Sequence, residues 1–364
     1  VYQWITEDVH NQLAIRAFGI NENGQDICLL VRNFKPWIYI ETTIANKISL
    51  KSRIKNSLSW TAYHVGDSVQ KSKLYFDHGN KLFKFYPIFF DSIKSRKQVY
   101  FTLRKKFPYL KIHEYEASPL LQFLCKYSLP SCGWVDILSV LQKVKSNKYT
   151  RSSSEFIVDC TSLKPSENPE SLGVPFMRTL SFDIETYSTN ELKMPNYELE
   201  GDVVFQIGVS IQSDSRSPVR SILFTLSPES FTLPNITVHT FFTEHDLLES
   251  FCEFVKSMNP HILMGYNIFG FDLPYLYHRC RQLGVAMEFI GMPNEEQSLA
   301  EYKDIKWSSS AYSVQEFHYL DLFGRLSIDL LPVIRRDYKL SNYKLKTVST
   351  FFLGETKDPL SVKD

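Results

Sequence analysis

With 364 residues, 43% hydrophobic and 14% aromatic content, and a formal charge of +1, the chain has apolar matter for two packed cores and no overall charge bias that names a partner. No window is apolar for long enough to cross a bilayer, Val1 to Ile20 lacks the basic-then-apolar order of an export signal, and the six cysteines are scattered without paired metal-ligand spacing. The reading is a protein with no membrane span, not secreted, with reduced intracellular thiols, and with a start at Val1 that looks clipped.

In chain order, Trp4 to Ile20 and Asp26 to Arg32 are predicted as paired strands joined by the turn Asn21-Glu22-Asn23-Gly24, with Pro36 to Ile40 continuing their sheet. Lys81 to Phe90 reads as a strand, Asp91 to Lys106 as a helix begun by Asp91, and Ser118 to Tyr127 as a helix. From Lys94 to Lys111 the chain carries Lys94, Arg96, Lys97, Arg104, Lys105, Lys106 and Lys111 with no acid, interleaved with Tyr100, Phe101, Phe107 and Tyr109. That run fits a surface tracking a phosphate backbone, and fits equally a solvated helix face whose aromatics pack inward. Composition turns polar from Lys145 to Ser154. The stretch Ser162 to Gly173, with Pro165 and Pro169, reads as a linker, which places domains at 1–173 and 174–364.

The second half is organised around Thr179 to Tyr187. On an extended strand Leu180, Phe182 and Ile184 point one way and Ser181, Asp183 and Glu185 the other, so two carboxylates share one face of a stiff platform. Such a pair suits a divalent cation, although an acidic strand face in water has the same pattern. Val203 to Ser210 and Ser221 to Leu226 continue as strands. Thr243 opens a helix burying Leu247, Leu248, Phe251, Phe254 and Val255, and His261 to Met264 is a short buried strand. After the loop Tyr266 to Phe271, Asp272 reads locally as the cap of a helix with Pro274 in its first turn, a stripe of Leu273, Leu276, Tyr277 and Cys280, and a stop at Gly284. This order predicts a mixed sheet covered by helices, in an α+β or α/β class, behind a β-rich α+β amino-terminal domain.

Phe182-Asp183-Ile184-Glu185-Thr186, followed at this distance by Tyr266-Asn267-Ile268-Phe269-Gly270-Phe271-Asp272-Leu273-Pro274-Tyr275-Leu276, resembles the first two exonuclease motifs of the family B DNA polymerases, including those of large double-stranded DNA viruses. Gly324 to Leu331, Arg336 to Ser349 and Phe351 to Asp358 are similar to the segment that follows. The likeness covers the second half well and the first half loosely, through Tyr115-Glu116-Ala117 to Cys132-Gly133-Trp134.

The resemblance implies a ribonuclease H-like exonuclease domain after an amino-terminal domain, within a replicative polymerase of viral origin that copies DNA and removes misincorporated 3′ nucleotides. It implies two Mg2+ or Mn2+ ions: Asp183 bridging them, Glu185 holding one or orienting water, Asp272 serving the second. Asn267 would position the 3′-terminal nucleotide, and Thr186 would bond its sugar. Phe271 would lie against a base or, by its apolar character, pack in the core. DNA, the rest of the polymerase and a processivity factor are the implied partners, at the nucleus or a viral replication site. The family's third motif, Tyr-x-x-x-Asp, has no counterpart after Asp272, the nearest spacing being Tyr312 with Glu316. Within this chain Glu316 and Asp329 are the acids to consider for a fourth ligand. No Asp-Thr-Asp polymerase motif is present. A free-standing exonuclease and a silent DNA-binding scaffold are the alternatives.

Overall fold

The span Trp4 to Ile20 is two strands, β1 (Gln3–Val9) and β2 (Gln12–Ile20), folded back at His10 and Asn11. Both turn residues have positive φ, 50° and 61°, so the hairpin uses a left-handed turn without the glycine that would have marked it. The structure, a computed structural model, describes residues 1–41, 52, 63–73, 81–190, 192–287, 290–294, 300–309 and 312–355. The family-like stretch from Thr356 onward lies outside them.

β3 (Asp26–Arg32) pairs with β2 across the expected turn. β4 (Trp37–Glu41) does not continue this sheet: Asn33 at φ 68° and Pro36, which has no N–H to give, turn the chain out of it. It joins β5 (Tyr63–Val65), β6 (Val69–Lys71), β7 (Phe83–Phe90) and β8 (Ile112–His113) in a second sheet.

Helix α1 (Ile93–Lys106) lays Val99 and Leu103 in the same core as Ile38, Ile40, Ile88 and Phe90. Ser92 caps it, through reciprocal bonds with Ser95, while Asp91 pairs with Lys35 at 2.7 Å instead of capping. Arg96 is withdrawn from the basic run. It is 5% exposed, with its guanidinium donating to the carbonyls of Trp37, Glu114, Tyr115 and Ala117.

The unit is completed by α2 (Pro119–Lys126), β9 (Val135–Ile137), β10 (Gln142–Val144), β11 (Ser154–Asp159), β12 (Leu163–Pro165) and α3 (Pro169–Leu172). β11 enters the first sheet beside β3, and β12 pairs with β9, so part of the expected linker is ordered strand. The chain falls into two compact units that part between Pro175 and Phe176, with Tyr149–Arg151 grouped with the second.

The second unit is a six-stranded sheet built from β13 (Thr179–Thr186), β14 (Val204–Gln212), β15 (Arg220–Leu226), β16 (Ile236–Phe241) and β17 (Ile262–Gly265), plus β20 (Leu326–Asp329). Between β17 and β20 stands a hairpin of β18 (Glu301–Ser309) and β19 (Tyr312–Asp321). The order across the sheet is β16-β15-β14-β13-β17-β20; β13, β14 and β15 are antiparallel and the remaining pairings parallel. Helices α4 (Glu244–Met258), α5 (Asp272–Leu283), α6 (Leu330–Asp337) and α7 (Leu345–Leu353) complete it. Leu180, Phe182 and Ile184 are at most 5% exposed, in one core with Leu247, Phe251 and Val255 of α4 and Leu273, Leu276 and Cys280 of α5. Burying a side chain of this size contributes roughly 1.5–3 kcal/mol, and this holds β13 rigid.

No helix among the described residues is long and apolar enough to cross a membrane.

Candidate active site

The alternation of β13 puts Asp183 and Glu185 on its exposed side while Ile184 between them is buried. Opposite Asp183 in the β14 register is Gly208, and small residues continue outward as Ser181, Ser210 and Ser221. With Asp183, Leu223 and Ile236 they line a hollow of about 310 Å3 on the sheet. The strand pairing shifts between Glu185 and Thr186, which leaves Thr186 half-buried at an irregular end.

Asp272 is not the cap of α5. Phe271 occupies that position and makes no side-chain cap bond, while the Asp272 carboxylate accepts from the Ile184 backbone N–H at 3.1 Å. The acid is thus 3% exposed and set against β13 at the residue between Asp183 and Glu185. Burial first, then the nearby charge of Asp183, push its carboxyl up to about 7; the Ile184 N–H opposes this, and the charge of Asp329 adds to it.

The loop before α5 has its own supports. Asn267 takes φ 63° and is exposed, and its carbonyl accepts from the N–H groups of Gly270 and Phe271. A Cβ on Gly265 would lie 2.8 Å from the Phe182 carbonyl, so glycine lets β17 close on β13, while one on Gly270 would lie 2.5 Å from Asn267 Oδ1 and displace that side chain. Phe271 is half-buried, its ring 5.5 Å from Tyr275, and packs against the core. The Tyr266 hydroxyl donates to the Tyr343 carbonyl at 2.5 Å.

Both acids considered for a fourth ligand are engaged by other partners. Glu316 stands on the hairpin, half-exposed and paired with Lys306 at 2.5 Å. Asp329 is 4% exposed and both its oxygens accept backbone N–H groups, from Asn267 and Leu331 on one and from Phe269 on the other.

Several supports were missed in the sequence. Arg279 and Glu244 form a buried pair, and Arg279 also donates to the carbonyls of Tyr197, Leu199 and Glu200, clasping the loop between β13 and β14. Asp202, 1% exposed, accepts from Thr189 and Asn196 in the same loop. The hairpin packs on the other side, with Tyr319 5.3 Å from the Phe269 ring and His318 N–H donating to the Phe269 carbonyl. Arg325 is buried at 1%, its guanidinium donating to the carbonyls of Pro260, Ile290 and Gly291. A lone arginine or aspartate carries no spacing that would have announced these roles.

Among the described residues, the His, Asp or Glu trio whose ligand atoms all lie within 4.8 Å of one another is His245, Asp246 and Glu249, in the first two turns of α4. Asp183, Glu185 and Asp272 stand wider apart, around one stretch of β13.

A mixed sheet whose central strand presents two acids, with a third delivered from the start of a following helix, is the ribonuclease H-like arrangement of an exonuclease domain. Residues 110–348 match the family model described as DNA polymerase family B, exonuclease domain, and the chain belongs to that family. It is 34% identical over 99% of its length to DNA polymerase 120R of Invertebrate iridescent virus 3, and 30% identical over 95% of its length to the DNA polymerase delta catalytic subunit of Schizosaccharomyces pombe. The chain spans only 34% and 33% of those two relatives. Among solved structures, the family B DNA polymerase of the hyperthermophilic archaeon Pyrobaculum calidifontis shares the fold at a TM-score of 0.68, over 98% of this chain and 39% of that one, at 19% identity.

Proposed function

We propose that the second unit hydrolyses DNA from its 3′ end, in a polymerase that replicates a viral genome inside the host cell and uses this site to remove misincorporated nucleotides. On this reading 1–173 is the amino-terminal domain and 174–364 belongs to the exonuclease domain; nucleotide addition and any processivity factor fall to other parts of the replication machinery. The observation that carries the proposal is the Asp272 carboxyl, buried against the strand between two exposed acids and raised by that burial and by the charge of Asp183. Three carboxylates in this arrangement suit hard divalent cations, magnesium or manganese, because opposite charge relieves their mutual repulsion. Their spread around β13 fits two ions better than one.

When bound, the cations would supply hydroxide near neutral pH and offset charge growing on the phosphate oxygens. Asp183 would be shared between them, Glu185 would hold one or orient the water, and Asp272 would serve the second from below. Asn267, exposed at the turn, would position the terminal nucleotide, with Thr186 beside its sugar. The test is the melting temperature with manganese or magnesium. Saturation at about a hundred times Kd stabilises by roughly 2.7 kcal/mol, a rise of several degrees. Asp183→Ala is expected to abolish most of that rise, and an unchanged rise would take Asp183 out of the metal site.

DNA contact in the first unit has a separate basis. On α1 the exposed residues Lys94, Lys97, Phe101, Arg104 and Lys105 recur at helical spacing, Phe101 is 56% exposed rather than packed inward, and no acid occurs between Ser92 and His113. Changing Lys105 and Lys106 to Glu is expected to weaken binding of single-stranded DNA and to flatten its log–log salt dependence by about 0.7 for each phosphate that is no longer neutralised. An identical slope in the variant would leave this helix as a solvated face.

A further inference from the structure

Asp329 ends β20 in a position where one of its bonds is ordinary. Its Oδ1 accepts from the Leu331 N–H at 2.9 Å, the cap of α6. The other two reach back 62 and 60 residues: Asn267 N–H donates to the same Oδ1 at 2.8 Å, and Phe269 N–H donates to Oδ2 at 3.0 Å. A carboxylate offers acceptors on both oxygens and no donor, which is what two converging loop amides and a helix amide require; an amide of the same shape would turn an NH2 toward one of them. The bonds fall on either side of Ile268, at the residue with φ 63° and the residue whose ring meets the hairpin. Asp272 is anchored independently, by the Ile184 N–H.

We infer that Asp329 is a positioning residue: it fixes Asn267 for the 3′-terminal nucleotide while touching neither cation nor DNA. The inference rests on the role proposed above for Asn267. Two anchors therefore divide the work, β13 holding the acids and Asp329 holding the loop that meets the nucleotide.

The test is a double-mutant cycle in steady-state 3′→5′ degradation of a 5′-labelled oligonucleotide, with the chain extended to the length of its viral relatives. Asp329→Asn keeps an oxygen for the Leu331 cap and the Asn267 N–H, turns its NH2 toward the Phe269 N–H so that the loop is held at one end only, and is expected to raise KM about tenfold with kcat within about threefold, the scale set by losing one charge-assisted hydrogen bond. The melting shift on adding manganese should remain. Asn267→Ala should raise KM similarly, and the double variant should be no worse than Asn267→Ala alone. Multiplying losses in the double variant, a fall in kcat at constant KM, or loss of the manganese shift would each overturn the proposal. An unchanged KM in Asn267→Ala would sink the reading of Asn267 itself, and a KM rise confined to Asp329→Asn would then show that Asp329 acts elsewhere. If Asp329→Asn does not fold, Asp329→Ser keeps a competent cap but is too short for the loop amides, and the same cycle applies.

Discussion

Asp183→Ala is expected to slow release of 3′-terminal nucleotides on the order of a hundredfold or more, because it removes the acid that both cations would share, and losing one element of a preorganised site commonly costs that much. The assay is degradation of a labelled single strand in magnesium, in a chain extended to the length of the viral relatives. Glu316→Gln serves as a control: Glu316 lies on the hairpin, paired with Lys306, and its loss should leave the rate within about twofold, as for an exposed ion pair. Residues 1–364 alone are expected to be slow as well, since the spacing Tyr-x-x-x-Asp does not occur after Asp272. Full activity in that chain, lost on Asp183→Ala, would mean that a fourth ligand lies within it. Full activity in the extended Asp183→Ala variant would end the metal-site reading.

Asp272→Asn is expected to stabilise the protein in the absence of divalent cations, and to do so only above acidic pH. In the folded chain the Asp272 carboxyl titrates near 7, against 3.8 for an unperturbed one, so the folded state keeps a proton that the unfolded chain has already released. Stability therefore falls as pH rises from about 4 to about 7, by up to about 4 kcal/mol at 1.36 kcal/mol for each unit. Asparagine retains an oxygen for the Ile184 N–H and never charges. Urea unfolding in EDTA should show the variant ahead by a few kcal/mol near pH 8 and level near pH 4, with the order reversed at pH 8 by manganese, which only the parent acid can ligate well. An advantage of the same size at both pH values would mean that the stabilisation owes nothing to a buried charge.

What was legible in the sequence was whatever repeats with a period. β13 could be read from the alternation of Leu180, Phe182 and Ile184 with Asp183 and Glu185, α4 from its apolar stripe, and α5 from a stripe that ends at Gly284. Capping was read less well, because an acid at a helix start can be drawn to a partner distant in sequence: Asp91 pairs with Lys35 and leaves the cap to Ser92, and Asp272 turned inward to a strand amide 88 residues earlier in the chain. The hairpin of β18 and β19 escaped notice because both its faces carry charge, with Lys303, Lys306 and His318 paired across the strands to Asp321, Glu316 and Asp304. The departure of β4 to a second sheet, and the carbonyl cages around Arg96 and Arg325, depend on partners far away in sequence, which no local window contains.

Because Ile184 contributes its side chain to the core and its amide to Asp272, the placing of a buried acid and the packing of a hydrophobic interior are not separable traits in this domain. A smaller aliphatic at Ile184 would open a cavity beneath the strand, loosen the amide that holds the acid, and leave every carboxylate in place. If the site edits DNA as proposed, the outcome would be a mutator: a lineage accumulating replication errors from a substitution that inspection of the three carboxylates alone would pass as harmless.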